Sequence, residues 1–293
     1  MIVEDIKLEE LEVHINKLLK KDLYKNKLMI CCPHCSGNKF IKYGSYKEIQ
    51  RYKCKECDKT FSKTTKSLWS YSKKEPNKWI EFVELMLEKK SLRFCAEKLK
   101  INLVTAFYWR HKILHGLALD SMPSKLDGDI HISKIIMSEN FKGSRKIEET
   151  KRKNIWVIAA KGEEDSMLII PICKSYWDLK KFNEKIYHKI NKASYIMPYG
   201  DRYLEVVAKK HNKNLSKKSI EEEKRIKYIT YNLRRWLDSF YGIATKYLEK
   251  YLSWFILFSL DIKINYIDVI YFLCLKNIFI GTKNIRLVQE AID

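Results

Sequence analysis

The residues with the clearest chemistry are four cysteines, Cys32 and Cys35 followed by Cys54 and Cys57, in the arrangement C-x2-C-x18-C-x2-C. Two cysteines three apart place both thiolates on one side of a tight turn, and two such turns close a tetrahedron around zinc. Half of the chain's eight cysteines fall into this one pattern, which weighs against a disulfide pair or scattered buried thiols. Cys31 and His34 offer a shifted ligand set. Pro33 after Cys32 makes the better knuckle, which leaves Cys31 an ordinary thiol. The expected cofactor is a structural Zn2+ on Cys32, Cys35, Cys54 and Cys57, within a zinc ribbon over residues 28–63.

Cations surround these knuckles. Arg51, Lys53, Lys55, Lys59 and Lys63 crowd one end of the ribbon, where they suit phosphate contacts that fix register without reading sequence. A solvated basic face is the plainer reading of any one of them. The whole chain carries Lys+Arg 57 against Asp+Glu 36, a net charge of +21. With hydrophobic residues at 46% it can build a core, so it is not a disordered basic tail, and the charge points first to a polyanion, most commonly nucleic acid, with mere solubility as the plainer reading.

A membrane partner is not expected. The best apolar runs, Tyr251–Leu260 and Tyr266–Leu275, are about ten residues each, and about twenty are needed to span a bilayer. The acidic start MIVEDIKLEE lacks the positive charge of a signal peptide. Together with reduced cysteines this predicts a cytoplasmic, nucleoid-associated protein.

The elements that must hold these groups follow from periodicity. Residues 5–20 read as an amphipathic helix within an N-terminal segment 1–27. Lys39–Tyr43 and Gln50–Lys53 read as two strands about a Gly44-Ser45 turn. Beyond a polar linker, Thr64–Pro76, come helices over Asn77–Lys89, Ser91–Leu99 with Ser91 as N-cap, and Leu103–Leu117 with Asn102 as cap. The short Ile101-Asn102 turn suggests a helix-turn-helix over 77–118, although helical hairpins without a DNA role are common. Thr105, Tyr108, Arg110, His111 and Lys112 form its polar side and the candidate base and phosphate contacts, with Phe107, Ile113 and Leu114 as core.

After SMPSKLDG at 121–128 the pattern changes. Strands are expected over Ile130–Met137, Asn154–Ala160 and Met167–Cys173, then a helix Trp177–Ile190, a strand Ala193–Met197 and a helix from Asp201 to His211. A charged stretch, 212–226, is expected to face solvent, and Tyr228–Phe258 to be helical. The aromatics of that last stretch, from Trp236 to Phe255, suit helix packing better than a base-stacking platform. Arg234 and Arg235 on it are further candidate phosphate contacts. Cys95, Cys173 and Cys274 read as small core residues. The fold class is therefore multidomain: a small β zinc ribbon, an all-α helical segment, and an α/β domain with a mixed sheet and C-terminal helices over 126–260, followed by an extension 261–293.

In this order the parts resemble insertion-sequence transposases that carry an N-terminal zinc ribbon, a helix-turn-helix and an RNase H-like catalytic domain. The motifs that carry the resemblance are RYKCKECDKTFS at 51–62, SLRFCAEKLKINLVTAFYWRHKIL at 91–114, FKGSRK at 141–146 and YNLRRWLDSFYGIATKYLEKYLSWF at 231–255. The resemblance implies a triad of two aspartates and a third Glu or Asn, holding two metal ions that activate the attacking oxygen and stabilise the leaving one. Carried over by position, the first aspartate falls on Ser133, ten residues before Gly143 and followed by Lys134. The second falls on Tyr199, before Gly200, and the third near Arg225 or Lys227.

None of these supplies an anionic oxygen at neutral pH, so productive Mg2+ binding is not expected. Substitutes are poorly placed. Asp129 shares the strand face of Ser133 but lies about 13 Å along it. Asp201 is two residues past Tyr199 and suits helix capping, while Glu221, Glu222 and Glu223 read as a solvated charge run. His131 shares the Ser133 face without an acid to complete a hydrolase triad.

The resemblance thus implies a sequence-specific DNA-binding protein of transposase origin with a degenerate active site, acting on terminal inverted repeats or other duplex DNA, with homo-oligomers left open. An active transposase using displaced carboxylates, with Asp201 as the substitute acid, and a non-catalytic protein scaffold are the alternatives.

Overall fold

Small β units rarely bury enough apolar surface to fold unaided, and the cysteine-bearing segment shows how this one compensates. In the computed structural model, the structure describes residues 30–46, 49–62, 64–68, 70–74, 76–120, 123, 125–142, 152–163, 166–212, 220–259 and 278–287. Strands β1 (Phe40–Tyr46), β2 (Ile49–Cys54) and β3 (Thr60–Ser62) form an antiparallel sheet in the order β1-β2-β3. Phe40, Tyr52 and Phe61 meet on it with ring centroids 5.4–5.6 Å apart, and Cys32 and Cys54 are buried beside them. Gly44 does not form the hairpin turn expected of Gly44-Ser45. It lies within β1 at a positive φ of 64°, where the register to β2 shifts between Lys42 and Ser45. The left-handed conformation that glycine tolerates makes a bulge here, and the strand continues to Tyr46. The third strand was absent from the sequence reading because three residues carry too little alternation to register.

Three helices follow: α1 (Pro76–Leu87), α2 (Leu92–Lys98) and α3 (Leu103–Asp120). Ser91 caps α2 by accepting from the Phe94 N–H at 3.1 Å, and Asn102 accepts from the Val104 N–H at 2.8 Å, as the sequence predicts. Trp79 of α1 stacks on Trp109 of α3 at 4.1 Å, and Phe82 meets the same indole edge-on. These residues and 278–285 belong to one compact unit, while the described residues from 117 to 259 form a second. Phe279 joins the first unit through its N–H to the Lys66 carbonyl at 2.7 Å and an edge contact with Tyr71. The expected helix at 5–20 lies outside the described residues, as do Cys274 and most of the 261–293 extension.

The second unit is built on β4 (Asp129–Ser138), β5 (Asn154–Lys161), β6 (Met167–Lys174) and β7 (Tyr195–Tyr199), in the sheet order β6-β5-β4-β7. The first three pair antiparallel and β7 joins β4 in parallel, so the sheet is mixed. A parallel neighbour needs a crossover. Helix α4 (Leu179–Lys185) supplies it, and α5 (Arg202–His211) follows β7. The expected helix over Trp177–Ile190 is shorter, ending at Lys185 before a 3-10 turn at Tyr187–Lys189. Ile130, Ile132, Ile158, Ile170, Phe182 and Leu204 form part of the core between the sheet, α4 and α5.

Helices α6 (Ile220–Asp238) and α7 (Leu248–Ser259) complete this unit. The charged stretch expected to face solvent enters helix α6 at Ile220, and one face of that helix carries Ile226, Ile229 and Leu233 into the core. The aromatic series is packing. Trp236, Phe240, Tyr251 and Trp254 interlock at centroid distances of 4.8–6.3 Å, with Trp254 fully buried, and Tyr241 stands out at 90% exposure. Trp254→Ala is expected to destabilise the protein by about 3–5 kcal/mol in urea unfolding, and Tyr241→Ala to stay within about 0.5 kcal/mol.

Candidate functional sites

The two knuckles converge. Sγ of Cys32 lies 3.8 Å from that of Cys57, Sγ of Cys35 lies 3.6 Å from that of Cys54, and all four sulfurs fall within 4.8 Å of one another. Zinc–sulfur bonds of about 2.3 Å give tetrahedral edges of roughly 3.8 Å, so the four thiols are compatible with a structural zinc ion. The His34 N–H donates to Cys32 Sγ and the Glu56 N–H to Cys54 Sγ, each at 3.4 Å. The Cys57 and Glu56 N–H groups lower the Cys54 thiol to about 7, readying a thiolate. At Cys35 the Gly37 N–H also pulls downward, but burial and the three neighbouring thiols outweigh it and push that group to about 12. Four such thiols cannot all ionise without a cation between them, and zinc is the ion that sulfur ligands at this separation suit. His34 and Cys31 lie outside the cluster.

The ribbon cations are partly engaged. Lys53 forms an exposed ion pair with Asp58 at 3.1 Å, and Arg51 donates from Nη2 to Thr60 Oγ1 at 3.0 Å, while Lys55 is exposed.

Helix α3 differs from its sequence reading at two positions. Arg110 and His111, expected on the polar DNA-facing side, are 2% and 1% exposed. Arg110 follows Ala106 and precedes Leu114 on an inward face, and its Nη2 donates to the Lys90 carbonyl at 2.6 Å, just beyond the end of α1. His111 packs on the Phe107 ring at 4.3 Å. Side-chain polarity misled here, because a buried guanidinium is stable when a carbonyl meets it. Thr105 and Tyr108 are half-buried, and Lys112 stands 5.3 Å over the Phe279 ring, where burial lowers its pKa. The open part of the helix is its first turn, where Asn102, Leu103 and Val104 are exposed, with Arg93 exposed on α2. The apolar character of Leu103 and Val104 hid this turn from a reading that sought charged contacts.

In the second unit, the parallel register of β4 and β7 sets Ser133 directly beside Tyr199. Two positions chosen from separate sequence motifs therefore become neighbours across one sheet. Both are buried, at 9% and 2% exposure. Tyr199 Oη hydrogen-bonds with His131 Nδ1 at 3.1 Å, on the same strand face as Ser133. Gly200 then turns the chain at a positive φ of 72°.

Asp201 is committed twice. One oxygen accepts the N–H groups of Tyr203 and Leu204 at 2.9 and 3.2 Å as the N-cap of α5, and the other pairs with the Lys134 ammonium. That ammonium also lies 4.2 Å over the Trp156 ring. Asp129 is exposed at the far end of β4. Lys227, the third position, is exposed on α6 and pairs with Glu223 at 2.7 Å, four residues earlier. Among the described residues, the four cysteines are the one group of three or more His, Cys, Asp or Glu close enough to share a metal.

The motifs at 141 and 231 also meet. Lys142 Nζ donates to the carbonyls of Tyr241 and Gly242 at 3.0 and 3.2 Å, and the Thr245 N–H donates to the Asn140 carbonyl at 2.9 Å. A Cβ at Gly242 would lie 2.7 Å from the Asn140 amide nitrogen, so the approach requires glycine.

The chain is 27% identical over 127 residues to an uncharacterised protein in transposable element ISH50 of Halobacterium salinarum. It is related to a transposable-element protein. The match covers 43% of this chain and 42% of that relative, so the chain spans less than half of the relative's length. No family model and no solved structure matches the chain. Among the described residues, no helix is long and apolar enough to cross a membrane.

Two features escaped the sequence reading. Glu139 is a buried carboxylate at the end of β4, paired with the Lys174 ammonium and accepting the Lys153 N–H at 3.2 Å. The outer face of α6 carries Lys224, Lys227, Tyr228, Tyr231, Arg234 and Arg235 in exposed positions, a stripe that helical phasing from Ile226 and Leu233 would have revealed. Arg234 also reaches the Ile136 carbonyl at 3.4 Å.

Purified protein is expected to hold one equivalent of zinc by metal analysis. Cys54→Ser should lose most of it, and acidification should release it as the thiolates protonate. A metal-free wild-type chain with a folded ribbon would contradict the tetrahedral site.

Proposed function

We propose that this chain is a zinc-stabilised DNA-binding protein of transposase origin whose RNase H-like domain does not cut DNA. The observation that carries this reading is the β4–β7 register. It joins Ser133 and Tyr199 at the place where the resembled enzymes hold paired aspartates, while the nearest acid, Asp201, is spent on Lys134 and the start of α5. Two-metal chemistry needs hard anionic oxygens aimed at one point. A serine hydroxyl, a tyrosine tied to His131 and a lysine ammonium do not supply them.

DNA binding is supported by the charge of +21, by the cysteine cluster that stiffens a basic sheet, and by the short turn that presents the first turn of α3. In this helix-turn-helix reading, Thr105 and Tyr108 remain contacts, joined by Asn102 and Arg93. Arg110 and His111 pass from contact to scaffold. Relationship to a transposable-element protein favours element-end DNA as the target.

Supercoiled plasmid bearing the flanking repeats should stay intact with the protein in Mg2+ or Mn2+. In gel shifts, binding should fall on chelation and with rising salt, and Arg110→Ala should act through stability rather than sequence preference. Metal-dependent nicking abolished by Asp201→Asn would overturn the non-cleaving reading. Salt-insensitive binding unaffected by chelation would remove the ribbon from the interface.

A further inference from the structure

The ribbon holds a small cavity of about 240 Å³ between β2, β3 and the turn after β3, lined by Arg51, Thr60, Ser62, Thr64 and Thr65, with Tyr46 and Phe61 as its aromatic wall. Its composition is unusual for a ligand pocket, since such sites are mostly apolar and larger. One guanidinium and four aliphatic hydroxyls line it beside the Tyr46 phenol, and among the described residues no carboxylate does.

The direction of each hydrogen bond decides what can enter. Thr60 Oγ1 accepts from Arg51 Nη2 at 3.0 Å. Thr65 Oγ1 accepts from the Ser62 N–H at 2.9 Å, and the Ser62 carbonyl in return accepts the Thr65 N–H at 3.1 Å. A hydroxyl that accepts from a neighbour still has its own proton to donate, and at Thr60 no second hydroxyl competes for it. Ser62 Oγ shares hydrogen bonds with Thr64 Oγ1 at 3.1 Å and with Thr65 Oγ1 at 3.5 Å, which leaves these three hydroxyls one further proton to donate. Arg51 keeps most of its five donors. The cavity is therefore a set of donors around one fixed positive charge. Such a set suits a tetrahedral oxyanion and repels a cation.

We infer that this cavity is a phosphate site, gripping one phosphodiester of the DNA backbone through Arg51 and the hydroxyls of Thr60, Ser62, Thr64 and Thr65. It lies against the same small sheet that the cysteine cluster holds, so the zinc site would keep its geometry fixed. The inference rests on the DNA-binding reading above for the source of the phosphate. Free orthophosphate offers the same oxygens. A contact of this kind adds affinity without sequence information.

The test uses the full zinc-loaded chain, titrated with a short duplex over a salt series and separately with inorganic phosphate. Arg51→Gln should reduce the slope of log K against log salt by about 0.9, and weaken binding roughly five- to tenfold at 0.1 M salt for every duplex sequence. The double variant Thr64→Val, Thr65→Val should weaken binding in the same sequence-independent way with the zinc content unchanged. If wild type binds duplex and both variants match it in slope and affinity, the phosphate site is overturned and the DNA-binding reading stands. If wild type binds no duplex but binds inorganic phosphate in an Arg51-dependent way, the DNA source is overturned and a free-anion site replaces it. Binding of neither overturns both.

Discussion

The ion pair between Lys134 and Asp201 constrains what the second unit can do. Asp201 stands where β7 ends and α5 begins, so the first free N–H groups of the helix draw its carboxylate to them. The remaining charge is neutralised by a lysine from the neighbouring strand, itself seated on the Trp156 indole. A divalent ion bound to Asp201 would lie about 4 Å from that ammonium and be repelled by on the order of 8 kcal/mol at an effective dielectric constant of about 20. A single carboxylate does not offset that. Removing either partner would strand a largely buried charge, which is why the pair is self-maintaining.

In the proposed function the first unit carries the DNA contacts. Its sheet has only Phe40, Tyr52 and Phe61 as an apolar centre, too little to hold three short strands, and the cysteine tetrahedron supplies the missing constraint. Metal, aromatic trio and basic surface are then one device. A zinc ion on the four cysteines would fix the knuckles, which flank β2 and β3, and those strands carry Arg51, Lys53 and the hydroxyl-lined cavity. On the function proposed above, a chain with this device and without the paired carboxylates of the resembled enzymes would act by occupying DNA.

Much of this was legible in the chain. Spacing alone located the cysteine cluster, because ligand geometry tolerates few alternatives. Alternation and length located β4 to β6, and cap chemistry placed Ser91, Asn102 and Asp201 within a residue. The neutral residues at 133 and 199 were legible only through the resemblance. Their adjacency came from strand pairing, which no local pattern encodes. What was missed shares a cause: burial is set by tertiary phase. Arg110 and His111 look like contacts until α3 is rotated so that Ala106 and Leu114 face inward. Glu139 looks solvated until Lys174 of β6 arrives beside it, and Gly44 looks like a turn until the bulge in β1 is seen.

In the proposed function the second unit holds an internal Lys134–Asp201 ion pair in place of a metal site. The most direct measurement is a Mn2+ titration of the zinc-loaded chain, following free Mn2+ by electron paramagnetic resonance, with wild type and Asp201→Asn side by side. The ion-pair account predicts no saturable site in the micromolar range in either protein. A stoichiometric Mn2+ site in wild type that vanishes in Asp201→Asn would contradict it.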